Sequence, residues 1–231
     1  MSESEVTECV LPSGDRLDVT SFYEDNLVRF TTTALMALDH LEVSESEVRR
    51  ILQGFCPADL PVAVLLKVLR FSEAEKRLLS HIRHQTFKLN PERLREINTL
   101  LSLDESVRPG HIRSSESKSY GRALPAPHAL PQFIDAGISL LVLEPDPVKR
   151  ALKTFFFIVD NQLFESCNLR TAWLTLEGIL LNNGFYPLLL PRDEIQNFHD
   201  SLSLACKAGV SDTLDDFMGR LSRRLYSVRI L

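Results

Sequence analysis

Apolar residues recur at three- and four-residue intervals along most of the 231-residue chain, and period-two alternation is nowhere sustained. That spacing predicts an all-α protein. Leu27, Phe30, Ala34, Leu38 and Leu41 make one amphipathic face. Ser44 to Glu47 reads as a capping box ahead of Val48, Ile51 and Leu52, with Gly54 able to end the turn. A third helix is predicted from Asp59 to Arg70. Ser72 and Glu75 read as a second capping box, opening a separate helix through Leu78, Leu79 and Ile82. Asn90-Pro91 is an N-cap followed by a first-turn proline, and its helix carries Leu94, Ile97 and Leu101.

The periodicity breaks between about Ser102 and Pro131. Pro109-Gly110, a serine-rich run from Ser114 to Ser119, Gly121 and three further prolines fall in that stretch. It is too long for an ordinary connection, which marks it as disordered or functional. Short extended pieces on either side of the serine run would pair as a hairpin, with Gly110 and Gly121 at its bends. Helices then resume. Phe133 to Leu143 is apolar. Asp146-Pro147 starts a helix whose Val148, Ala151, Leu152, Phe155, Phe156 and Val159 place it at the centre of the core. Asn168 to Asn183 follows, then a helix opened by Pro191 and a last one capped by Ser211. The division expected is a flexible tail over 1–20, an N-terminal helical extension over 21–71 and a helical core over 72–231. No internal repeat of fixed period is visible.

Composition narrows the classes. Lys and Arg number 26 against 31 Asp and Glu, a net charge of -5, which argues against a general nucleic-acid binder. Four cysteines lie far apart with no CxxC pair, so neither disulfides nor zinc are expected. No uncharged apolar run approaches a membrane span, and the acidic N-terminus lacks a leader-like apolar region. The compartment expected is the cytoplasm, with delivery into another cell left open.

The stretch Asp146 to Leu225 carries a more specific signal. Its centre reads Gln162-Leu163-Phe164-Glu165-Ser166-Cys167-Asn168-Leu169-Arg170-Thr171-Ala172. This resembles the Fic/Doc family, whose motif is His-Pro-Phe-x-(Asp/Glu)-Gly-Asn-Gly-Arg, often followed by Thr-Ala. Phe164, Asn168 and Arg170 fall on motif positions, within a helix–loop–helix layout of the family's kind. The resemblance implies a Fic-like helical bundle, with a flap at about 104–130 beside the motif and AMP transfer from ATP, with magnesium, onto a protein hydroxyl.

The departures bear on that chemistry. The family's histidine is a general base; Gln162 stands in its place, and an amide is not basic near neutral pH. Loss of a general base removes roughly 10²–10⁴-fold in rate. Ser166 occupies the acidic metal-binding position, where it is a poor magnesium ligand, and Glu165 lies one residue early. Cys167 and Leu169 replace the two glycines that let backbone approach a phosphate. Asn168 and Arg170 remain as nucleotide- or anion-binding candidates, although an N-cap asparagine and a solvated arginine explain them equally. Phe164 reads as a core anchor. Cys167, at a helix N-terminus, is a candidate reactive thiol.

In the flap, Arg108, Arg113, Lys118 and Arg122 form a basic section in an acidic chain. They are candidates for an acidic partner segment captured by β-augmentation. His111 and His128 read as loop histidines or, less simply, as substitute bases. His40 and His199 show no evident partner. Thr20 to Asp25 approaches the family's inhibitory pattern (Ser/Thr)-x-x-x-Glu-(Gly/Asn), but ordinary helix chemistry explains it. The function these residues imply is a Fic-like pseudoenzyme that binds or regulates a protein partner and needs no cofactor. The alternative is an active, nonstandard transferase using ATP and magnesium. Neither the partner nor the oligomeric state is legible.

Overall fold

The computed structural model describes residues 11–119 and 121–226. Local capping starts many of the helices where the sequence places them. Asp15 accepts from the Leu17 N–H at the head of α1 (Arg16–Asp25). Asn26 leads into α2 (Leu27–Asp39), and Ser44 with Glu47 closes the capping box of α3 (Glu45–Leu52). After α4 (Val62–Arg83), Asn90 accepts from Arg93 N–H at 2.8 Å to open α5 (Pro91–Ser102). A 27-residue stretch then leads, through the hairpin β1 (Lys118–Ser119) and β2 (Arg122–Ala123), to α6 (Leu130–Val142). Asp146 caps α7 (Pro147–Asn161) by accepting from Val148 and Lys149. The chain finishes with α8 (Asn168–Asn182), α9 (Ile195–Ala208) and α10 (Asp212–Tyr226). The predicted all-α class holds, and no helix of the described residues is long and apolar enough to cross a membrane.

The helix enclosed on all sides is α8 rather than α7. Every residue from Arg170 to Leu181 is buried, whereas α7 leaves Lys149 and Lys153 at the surface. Helices α4, α5 and α7 pack around α8, and Trp173 meets Phe155 of α7 and Phe198 of α9 edge-on, within a common apolar core. Gly178 lets α4 come close: a Cβ there would sit 2.7 Å from Phe87 and 2.8 Å from Leu78.

Three expectations are corrected. Residues 62–83 form one continuous helix, not two. No glycine or proline interrupts it near Arg70, and the Ser72 and Glu75 side chains are buried in the core instead of capping a new start. The proposed divide between residues 71 and 72 therefore falls inside α4. Residues 11–20, expected to belong to the flexible tail, are instead packed on the fold. Leu11 is buried, Ser13 bridges Phe185, and Gly14 N–H donates to Gly184 O at 2.8 Å. Residues 1–10 of that tail lie outside the described residues. The hairpin, finally, sits at the end of the serine run, not astride it, with Lys118 opposite Ala123 and Ser119 opposite Arg122.

Candidate functional site

The motif is the link between α7 and α8. Helix α7 ends as Gln162 turns left-handed (φ 45°), and Cys167, also left-handed at φ 59°, launches α8. Cys167 thus keeps the backbone conformation a glycine adopts freely, at a conformational cost of roughly 1–2 kcal/mol. Leu163 and Phe164 are buried and anchor the loop between them. Asn168 closes it: its side chain accepts from Phe164 N–H at 2.9 Å and donates to Phe164 O at 2.9 Å and to Gln162 Oε1 at 3.3 Å. Gln162 Nε2 donates to Val159 O at 2.7 Å. Both ends of the Gln162 amide are therefore committed within its own loop.

The flap is tied to this loop at its root. Ile112 bridges Phe164, and Arg113 N–H donates to Leu163 O at 3.0 Å. The Arg113 guanidinium is buried and donates to Gln162 O, Ser115 O and Pro125 O at 3.1, 2.7 and 2.8 Å. One side chain thus joins both ends of the flap to the motif. Asn98 of α5 does the same from below. Its amide donates to Ser166 O and to Thr171 Oγ1, and its Oδ1 accepts from Gly110 N–H and Ser102 Oγ. Gly110 is required there, since φ is +73° and a Cβ would lie 2.1 Å from Thr99 Oγ1.

Arg170, the motif's cation, points into the protein. Its side chain is 4% exposed, with Nε 3.3 Å from Asp39 Oδ2 at the end of α2 and Nη2 2.5 Å from Glu105 Oε2 beyond α5. Burial works against its charge, but Glu105, Cys167 and Asp39 together outweigh burial and raise its pKa. Lys67 of α4 also reaches Asp39, at 3.2 Å. The Thr20–Asp25 pattern takes no part, because Glu24 pairs with Arg83.

The acidic neighbours of the motif are engaged as well. Glu165 accepts from Ser114 Oγ at 2.8 Å and Arg108 Nη2 at 2.7 Å. The Ser114 hydrogen bond, with Arg108 beside it, holds this carboxyl below the usual carboxylate range, so it is a poor base. Ser166 Oγ is buried, and no group of three or more metal-ligating side chains exists among the described residues. Cys167 Sγ lies 2.9 Å from Arg170 Nη2, yet burial prevails over that cation and raises the thiol pKa. This places Cys167 away from the reactive-thiol reading, because the thiolate is the nucleophile.

Of the four flap cations, three are spoken for within the chain. Arg108 sits on Glu165, Arg113 on backbone carbonyls and Arg122 on Asp160. Lys118 is exposed. His111 Nδ1 lies 3.3 Å from Pro109 O in its own loop, and its ring acts on the Glu165 carboxyl, while His128 is exposed in the 3-10 turn before α6. His40 and His199 face each other, ring centroids 4.6 Å apart. Sequence reasoning missed Asp39, Glu105 and Asn98. No local pattern marks them, since each acquires its role through a tertiary contact.

No protein-family model matches the chain, and no curated protein matches it. Solved structures do. One is Fic-1 (residues 134–508) from C. elegans, at TM-score 0.78 and 18% identity, covering 92% of this chain and 69% of that one. A second is a Fic-domain-containing signalling protein from Bacteroides thetaiotaomicron, at 0.74 and 15%, covering 94% and 90%. The chain has the Fic fold. A third structure, IbpAFic2 covalently tethered to Cdc42, superposes at 0.54 with 12% identity, over 93% of this chain and 72% of that one. Within the Fic fold, the link from Gln162 to Arg170 sits between its two most closely packed helices, α7 and α8.

Proposed function

We propose that this Fic-fold protein has given up nucleotide transfer and acts as a binding or regulatory module for a protein partner, in the cytoplasm and without a cofactor. The observation that carries the reading is the self-satisfied Gln162 amide, bonded to Val159 O and Asn168 Nδ2. A residue in the base position that is neither basic nor free cannot accept a hydroxyl proton. Arg170 supports the same reading, since its charge is already met by Asp39 and Glu105. Magnesium fits poorly here: Ser166 offers a buried hydroxyl, and Glu165 is turned to Arg108 and Ser114. What survives is shape, with the motif loop keeping its left-handed turn at Cys167 and the flap root locked to it.

The partner is taken to be a protein because a structure of this fold, IbpAFic2, is covalently tethered to Cdc42. Here the flap would meet it through Lys118 and the exposed residues 114–117, the other three cations being used internally. The test is incubation of the purified protein with labelled ATP, magnesium and lysate, next to a pull-down from the same lysate. The expected result is capture of a partner, weakened by deletion of residues 114–119, with no labelled band. A labelled band that disappears in Arg170→Ala would overturn the reading.

A further inference from the structure

Away from the motif, four helices meet around two buried acids. Glu75 of α4 and Glu177 of α8 are fully buried. Tyr23 of α1 donates to Glu75 Oε1 at 2.8 Å, and Thr31 Oγ1 of α2 lies 2.5 Å from Glu75 Oε2. We propose that the neutral carboxyl of Glu75 is a proton-dependent clip, holding α1 and α2, and with them Asp39, against the α4–α8 core.

Burial beside a second acid favours a neutral group, and the hydrogen bonds accommodate one. When protonated, Oε2 donates to Thr31 Oγ1, which passes its own proton to Leu27 O at 2.9 Å, while Oε1 accepts from Tyr23. A continuous donor chain then runs across α1, α4 and α2. If Glu75 ionises, its charge lies beside Glu177, and among the described residues no Lys or Arg is paired with either acid. Helix α1 presents Tyr23, α8 presents Glu177, α2 presents the hydroxyl of Thr31, and α3 turns Val48 and Ile51 inward. On α5, Glu96 engages Arg77 and His81 on another part of α4 and Arg93 pairs with Glu96, while Lys76 of α4 lies at the surface. Burial lifts the Glu75 pKa to about 8, against the pull of Thr31, Tyr23 and Lys76. Burial, with Glu75 adding to it, pushes Glu177 well up too.

The consequence reaches the motif through α2. Asp39 follows Thr31 by two turns of that helix, about 12 Å, and it is Asp39 that meets Arg170. Loosening α1 and α2 at alkaline pH therefore uncovers Arg170.

Hydrogen exchange of the full chain tests this, comparing wild type with Glu75→Gln at one pH at a time so that the intrinsic chemical rate cancels. The amide of the variant preserves the chain, accepting from Tyr23 and donating to Thr31 without titrating. At pH 4.5 the two proteins should exchange alike. Between pH 4.5 and 8 the amides of residues 16–39 in wild type should become progressively faster than in the variant, and at pH 9 faster by at least about tenfold, with α7 and α8 unchanged. Equal exchange at pH 9, or a rise spread evenly over α7 and α8, would overturn the proposal. Should the variant not fold, infrared difference spectra of wild type decide: a protonated-carboxyl band at pH 7 that diminishes by pH 9 is expected. No such band at pH 7 refutes the clip.

Discussion

Arg113 Nε donates to the backbone carbonyl of Gln162 at 3.1 Å, so a flap residue holds the residue in the base position. The same guanidinium reaches Ser115 O and Pro125 O. Arg113→Ala should free both ends of the flap and destabilise the protein by about 2–4 kcal/mol, at the ordinary worth of charged hydrogen bonds. Limited proteolysis should then cut within residues 114–124 before anywhere else. Arg113→Lys should recover only part of the protection, because a single ammonium cannot span three carbonyls in a planar fork. Unchanged cleavage in the alanine variant would show that the flap is held by other contacts.

Arg170 is predicted to be a stability residue. Removing it leaves Asp39 and Glu105 facing each other without their shared cation. Breaking a buried ion pair of this kind costs about 3 kcal/mol, so Arg170→Ala should shift the urea midpoint clearly downward. A shift within error would mean that the two carboxylates are well served by water or by Lys67.

Restoring one element of the family chemistry should not restore transfer. Gln162→His supplies a base, yet Ser166 is still no metal ligand and Arg170 is still engaged. No labelling from ATP is expected in that variant, nor in Gln162→His combined with Asp39→Ala. Labelling by the double variant alone would show that the Asp39 contact, and not the altered loop, is the decisive block.

Stability should fall as pH rises across the neutral range. Glu75 holds its proton in the folded protein up to about pH 8 but loses it near 4.5 when unfolded, and Glu177 shifts the same way. The folded state thus binds more protons than the unfolded one in that window. Its advantage is complete below about pH 4.5 and is lost as pH climbs through the folded pKa, by up to ~1.4 kcal/mol per pH unit for each acid. Glu177→Gln should be more stable than wild type at pH 8 and lose that advantage towards pH 5, as read by denaturant titration at each pH. An advantage that stays constant with pH would mean that Glu177 does not titrate differently on folding.

Much of the fold was legible because helix starts are local events. Ser44, Asn90 and Asp146 cap within three residues of themselves, so the chain announces them directly. The break at residue 71 was misread for the same reason. Ser72 and Glu75 have capping-box spacing, and only the tertiary structure shows them buried within α4. At the motif, the replaced residues were visible but their partners were not. Arg108, Arg113 and Arg122 look like a basic patch in one dimension, but in three Glu165, three backbone carbonyls and Asp160 engage them within the chain. Asp39 and Glu105 carry no mark at all until the chain folds.

The unbroken run of α4 through residue 71 leaves this molecule without a seam. Cutting at residue 72 would halve a helix, strip Tyr23 and Thr31 from Glu75, and open a face of α8 to water. The N-terminal helices are thus not an appendage on a finished core but its missing wall, and the chain should melt in one cooperative step.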